Sequence, residues 1–370
     1  MCTVLILSNN KHIYFASISK IYLLKILIIW YIVFMIKDAI NKLSNGQDLS
    51  DFEIKEVFDE ITSGLATEAL ISSFATALHS KNPNAIEISA SIQAASESIK
   101  PINLNLDNEN LIENITFNEF NSIINIPLAV DLICSSADLG ALKYSFNSSL
   151  DKNNTFEILK NLGIKPQENN TDFIDNFEKT NFGYVYLSKD ETYYKYCKEF
   201  SKKLPFFNIF SITEKMLNPY KAKNQVLGVN SKDIVEKYAQ ICLYLNNSNS
   251  IVLSGNNAPY ATISGETFVA EAWKNKIFTY ILTPDLVGLK TASEDEIKCE
   301  NEKHCAELLE NVFSNKIKGA YYDVIVLNSS LSLYIAKKAD SLMDAINLAK
   351  RLIDNGVVLE KINQLRKIYS

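Results

Sequence analysis

The residue types best suited to chemistry in this chain gather between Thr116 and Gly163. A short apolar segment (Ile123 to Ile126) leads into a helix-like run (Leu128 to Leu139), then Lys143, then a loop rich in Ser and Asn from Ser145 to Thr155. A lysine beside clustered hydroxyls can hold an anion, and in an alternating α/β chain such loops are where a phosphate sits. Phosphate cradles, however, present backbone N–H groups through glycines, and this stretch holds only Gly140 and Gly163, neither opening a helix. The loop therefore reads as a solvated turn region in which Ser and Asn bond their own backbone. Metal chemistry is no better served. Cys299, His304 and Cys305 lie near Glu300 and Glu302, but no second Cys or His pair stands at zinc-like spacing, and the only histidines are His12, His79 and His304. The aromatic cluster of Tyr193, Tyr194, Tyr196, Phe200, Phe206, Phe207 and Phe210 reads as core rather than as a stacking platform.

The elements that must position these residues fall into two textures. From Met35 to about Pro101 the pattern is helical. Ser50 is the expected N-cap, with Glu53 at the capping-box position, of a helix to about Thr62 that Gly64 stops; Thr67 caps the next, through Leu78; Asn82-Pro-Asn84 opens a third over Ala85 to Ile99. Ala90, Ala94 and Ala95 share one face there, allowing close helix packing. Beyond Pro101 strand-like runs alternate with helices. Phe182 to Leu187, Ser250 to Gly255, Lys276 to Leu282 and Tyr322 to Leu327 read as strands, and Thr192 to Lys203, Lys232 to Leu245, Glu302 to Phe313, Leu331 to Ala336 and Ser341 to Asn355 as helices. The expected fold class is α/β: a small all-helical N-terminal domain and a larger α/β domain with a central mixed sheet and helices on both faces.

Composition narrows the function classes. At 370 residues, 47% hydrophobic and 22% charged, the chain is globular. A net charge of −6 argues against a phosphate backbone as main partner, since no part shows the basic excess that counterion release needs. Six cysteines without framework spacing point to reduced thiols and a cytoplasmic setting. The N-terminus reads differently. Ile21 to Ile36 is apolar but for Lys25, too short for a spanning helix and without a small-residue cleavage site behind it. Met35 reads as the natural start, because an amphipathic helix begins there at once, and residues 1–34 as an extension.

Several short motifs then occur in order: Leu49-Ser with Glu53, Ile61 with Ser63-Gly64, the helix pair from Phe74 to Glu87, Phe207-Asn208, Asn218-Pro219, Gln225 to Val229, Leu282-Thr-Pro-Asp285 with Gly288-Leu289, Leu327-Asn328, Ala339 with Ser341-Leu342, and Gly356 with Leu359-Glu-Lys361. Together, from Met35 to the C-terminus, they resemble the anthranilate phosphoribosyltransferase family, which shares its fold with the pyrimidine nucleoside phosphorylases. The resemblance implies a helical domain at 35–104, with 190–212 packing on it, and an α/β domain from 105–189 and 213–370. It also implies a homodimer through the helical domain, and a cleft where phosphoribosyl pyrophosphate (PRPP) and anthranilate react with Mg²⁺. Such chemistry needs backbone amides on the pyrophosphate, acids for Mg²⁺ and cations at the developing charge.

Carried over residue by residue, the family's ligand motifs are mostly replaced. Its Gly-Thr-Gly-Gly-Asp loop falls on Ile115-Thr-Phe-Asn-Glu119, and its Asn-Ile-Ser-Thr box survives as Asn125-Ile126 before Pro127 and Leu128. Its Lys-His-Gly-Asn-Arg box keeps only Lys143, and its acidic magnesium pair maps near Ala261-Thr262. The resemblance leaves Asn125, Lys143, Ser148, Ser149, Lys198 and Asn208 as substrate-binding candidates, with no metal ligand and no catalytic side chain. The leading expectation is a family member that has lost phosphoribosyl transfer and acts by binding or protein pairing. The alternatives are an active, divergent anthranilate phosphoribosyltransferase of tryptophan biosynthesis and a nucleic-acid-binding relative, which the acidic balance disfavours.

Overall fold

The computed structural model of the chain describes residues 2–7, 13–18, 35–117, 123–145, 155–165, 167–168, 171–187, 193–201, 203–246 and 249–369. Strands β1 (Cys2–Leu7) and β2 (Ile13–Ile18) form a separate antiparallel hairpin. Most of the apolar segment from Ile21 to Ile36 lies outside the described residues, and among those described no helix is long and apolar enough to cross a membrane.

The helical module comprises α1 (residues 35–44), α2 (Asp51–Thr62), α3 (Glu68–Lys81) and α4 (Ala85–Glu97). Local chemistry starts each of the last three. Ser50 with Glu53, and Asn84 with Glu87, close reciprocal capping boxes, and Thr67 accepts from the Leu70 amide. Glu87 is buried and also accepts from the Leu49 amide at 2.9 Å and from Lys81 at 2.7 Å, so one carboxylate ties three chain segments. The expected helices over this region are all present, with ends within a few residues.

The second unit is a mixed sheet. Its strands are β3 (Leu111–Thr116), β4 (Gly140–Ser145), β5 (Gln167–Glu168), β6 (Phe182–Tyr186), β7 (Asn224–Gly228), β8 (Asn249–Gly255), β9 (Thr267–Trp273) and β10 (Lys276–Leu282), in the order β10-β9-β8-β7-β3-β4-β6-β5. The six from β8 to β5 run parallel; β9 and β10 are antiparallel. Side chains alternate between two cores. Leu111, Leu227 and Val252 face the helical module, whereas Ile112, Ile251 and Leu253 face the opposite layer. Helices lie on both faces, as expected: α5 (Ile126–Ser136), α6 (Thr155–Asn161), α7 (Thr171–Thr180), α8 (Glu199–Ser201), α9 (Ile209–Lys215), α10 (Val235–Tyr244), α11 (Glu302–Phe313), α12 (Ala320–Ile335), α13 (Leu342–Asp354) and α14 (Val357–Ile368).

One expectation is corrected here. Tyr322 to Leu327 is not a strand but the first half of α12, which carries on through the expected Leu331 to Ala336 helix. The helix expected over Thr192 to Lys203 is present as a continuous helical run over residues 193–201, π-helical at Tyr194–Lys198 and closing in α8.

The buried acids of β3 and α5 add a pH dependence. Glu113 is fully enclosed, and burial pushes its carboxyl up from 4.5 to about 7, against the pull of the Gln225 amide, which donates at 2.9 Å, and of Lys143. Below pH 4.5 folded and unfolded chains both hold this proton; between 4.5 and 7 only the folded chain does. Its contribution is therefore full at low pH and fades as pH rises through 7, by up to roughly 3 kcal/mol. Glu113→Gln keeps the shape and the bond from Gln225. We expect the variant to gain stability relative to the parent between pH 5 and pH 8, read as a shift in the urea midpoint.

Candidate functional site

In an open parallel sheet, ligands bind beyond the carboxyl ends of the strands where the chain order reverses direction. Here β3 stands between β4 and β7, so the crevice lies beyond Thr116 and Gly228. The floor is tight. A Cβ on Gly228 would meet the Pro259 carbonyl oxygen at 1.8 Å, so only glycine lets the 256–264 loop rest on the strand end. Asn328 of α12 fixes that loop, accepting from the Ala261 amide at 2.8 Å and donating to the Ala261 carbonyl at 2.9 Å. Between the ends of β3 and β7 the described residues leave a cavity of about 30 Å³ bordered by Asn114, Thr116, Pro127, Gly228, Tyr260, Asn328 and Ser332.

Beside the cavity, Phe117 follows β3 with its amide donating to the Gly228 carbonyl at 3.1 Å. Its ring is buried, 5.4 Å from that of Phe207 and edge-on at 4.8 Å to that of Tyr238. Three segments meet in this contact: the end of β3, the loop before α9 and helix α10. Phe207 and Tyr238 thereby hold an apolar side chain at a position where the resemblance implies glycine.

The candidate residues are placed as follows. Asn125 is buried as the N-cap of α5, accepting from the Leu128 amide at 2.9 Å and donating to Thr155 at 3.2 Å. Replacing it with Ala should cost about 1 kcal/mol, a few degrees in thermal midpoint, by uncapping α5. Lys143 donates to the Asn114 carbonyl and stands 3.3 Å from Asp131 Oδ2. Asn114 in turn donates to Asp131 Oδ1 and accepts from Ser332, both at 2.7 Å. Burial raises the Asp131 carboxyl above its usual range, and Lys143 and Asn114 counter that. Asn208 is the buried N-cap of α9, bonded to the Phe210 and Ser211 amides and to the Ser201 and Phe206 carbonyls. Ser148 and Ser149 lie outside the described residues, and of Lys198 only the backbone, in the π-helical turn, is described. Asn125 and Lys143 thus flank the strand ends, each engaged with protein partners.

Sequence reasoning missed a carboxylate. Glu294, from a short turn after β10, is ringed by Tyr260, Thr262 and Ser264, the last donating at 2.8 Å, near where the family's acidic pair would fall. Its signal was weak, because a lone Glu in an acidic surface run (Glu294-Asp-Glu296) is ordinary. His304 accepts from the Glu300 amide in a local turn, and among the described residues no three His, Cys, Asp or Glu side chains converge as a metal site.

The chain matches family models described as the glycosyl transferase family helical bundle domain, over residues 37–99, and the glycosyl transferase family a/b domain, over residues 119–359. The anthranilate phosphoribosyltransferase of Acetivibrio thermocellus is 30% identical over 332 residues, covering 89% of this chain and 95% of that protein. The chain belongs to the anthranilate phosphoribosyltransferase family. The Methanosarcina mazei anthranilate phosphoribosyltransferase is 29% identical over 90% of the chain. In fold, the chain is similar to anthranilate phosphoribosyltransferases from Thermus thermophilus (TM-score 0.80, 21% identity, 90% of this chain and 99% of that one) and from Saccharomyces cerevisiae in complex with PRPP and Mg (TM-score 0.78, 18% identity, 90% and 97%). The family's two units correspond to the helical module and the sheet unit described above.

Proposed function

We propose that the chain transfers a phosphoribosyl group from PRPP to anthranilate, the reaction its curated relatives are named for. The observation that supports this is extent: 30% identity maintained across 89% of the chain spans the helical module, the sheet and the segments joining them. Displacement at the ribosyl carbon needs no side-chain nucleophile, so positioning of donor and acceptor can supply most of the rate. At the strand ends the described residues offer the Thr116 hydroxyl, while Asn125 is engaged in capping α5. They do not build a resident magnesium centre, since Glu294 is engaged by three hydroxyls and no second carboxylate joins it. Mg²⁺ therefore belongs to the reaction as part of the donor's magnesium complex, in keeping with the yeast neighbour's complex with PRPP and Mg. A homodimer through the helical module is part of the same reading.

One observation favours a second reading, a cleft that binds without transferring: at the end of β3 a buried Phe117 ring, packed on Phe207 and Tyr238, stands where the resemblance implies glycine. Mixing the full chain with anthranilate, PRPP and Mg²⁺ separates the two. Anthranilate-dependent pyrophosphate release supports transfer. Calorimetric binding of PRPP without release supports the second reading, and neither binding nor release removes both.

A further inference from the structure

Cys299 and Cys305 are buried thiols that grip one short segment. Cys299 donates to the Ile123 carbonyl at 3.0 Å, and Cys305 accepts from the Asn125 amide at 3.2 Å. The same segment is laced to residues 297–298 by the Ile124 amide on the Ile297 carbonyl at 2.9 Å and by an antiparallel bridge from Ile123 to Lys298. It runs directly into Asn125, the N-cap of α5. The neighbouring Cys305 holds the Cys299 thiol below its ordinary value, while Cys299 and burial raise that of Cys305. Neither thiol has a role in the chemistry above.

We infer that Cys299 and Cys305 form a redox-modifiable pair whose oxidation to a disulfide loosens the start of α5. Hydrogen peroxide suits the site, because Cys299 is only 4% exposed and a bulky disulfide oxidant would not reach it. The Cys299 thiolate attacks one peroxide oxygen, giving a sulfenic acid and hydroxide. Cys305 then attacks that sulfur, expelling the second oxygen as hydroxide; the two thiol protons convert both hydroxides to water. Two thiols and one peroxide thus yield one disulfide and two waters. A disulfide sulfur carries no hydrogen, so the bond to the Ile123 carbonyl is lost, while the backbone bridge to residues 297–298 and the acceptor sulfur of Cys305 stay in place. The mirror case fails at Cys134, Cys197 and Cys242, which sit singly in the core.

The pair is open to mapping because trypsin cuts after Lys298, Lys303 and Lys316, placing the two cysteines on separate peptides, residues 299–303 and 304–316. The folded full-length chain is treated with peroxide, unreacted thiols are alkylated in denaturant, and the digest is read by mass spectrometry. The expected result is a linked pair of these peptides, with Cys134, Cys197 and Cys242 alkylated. Hydrogen exchange of the amides at 124–126 and 128 should quicken on oxidation and recover with dithiothreitol. Cys305→Ser should instead stop at a sulfenic acid on Cys299 that dimedone captures; Cys299→Ser, which should form no linked peptide, serves if the first variant folds poorly. Separately alkylated peptides, linkage to another cysteine, or a disulfide without faster exchange at 124–126 and 128 would overturn the inference. None of these readouts depends on whether transfer occurs.

Discussion

Replacing Lys143 with Met should cost about 3 kcal/mol at neutral pH, visible as a large fall in the urea midpoint. The reason is the acid it leaves behind. Asp131 is almost wholly enclosed and is held by Lys143 and Asn114. Removing one partner of a buried pair leaves the other charge uncompensated, which costs roughly 3–5 kcal/mol, and the part of Lys143 that stays in water argues for the lower end. The Asp131 carboxyl, already raised, should rise further and take up a proton, so the loss should shrink as pH falls. Asp131→Asn combined with Lys143→Met removes the stranded charge and should recover much of the stability. A Lys143→Met variant as stable as the parent would mean that the lysine faces solvent or a ligand rather than Asp131.

Phe117→Ala should lower stability by about 3 kcal/mol and at the same time tighten PRPP binding. The first effect follows from emptying the ring's place between Phe207 and Tyr238. Large-to-small core changes at aromatics cost roughly 3–5 kcal/mol, and Phe207, which is 43% exposed, can move to fill part of the gap. The second effect follows from what a ligand must otherwise displace. Aromatic pairs contribute about 0.5–1.5 kcal/mol beyond their area, so a ligand that no longer has to displace the ring at the end of β3 should bind roughly twofold to tenfold more tightly. Calorimetry on parent and variant checks both. Weaker binding in the variant would show that the ring supports the ligand instead of excluding it.

Much of this fold was legible because its signals are local. Ser50 with Glu53, and Thr67, announce helix starts within a few residues of themselves, and the strands from Ser250 and Lys276 carry β-branched or aromatic runs. Tyr322 to Leu327 misled for a physical reason. Helix α12 is buried along nearly all of its length, so no polar face marks its period, and a Val/Ile-rich run then looks like a strand. Strand β9 was overlooked because Ala and Glu weaken its β character; pairing with β8 and β10 supplies what propensity does not.

The site was legible in part. That Phe117 and Pro127 replace ligand-binding types could be read from spacing against the family. That Phe117 packs on Phe207 and Tyr238, that Lys143 reaches Asp131, and that Glu294 meets Thr262 are contacts between residues 12 to 121 positions apart, which no local pattern encodes. Asp131 left one trace, as a lone acid within the apolar run of α5. Asn125 and Asn208 look like ligand groups in the motif and serve as helix caps in the fold, a role open to Asn wherever a helix begins.

The most direct measurement is pyrophosphate release by the folded full-length chain supplied with PRPP and Mg²⁺, with and without anthranilate. The proposed transfer predicts release that requires anthranilate and matches its consumption one for one. A folded chain that binds PRPP yet releases no pyrophosphate above the rate without protein would contradict it.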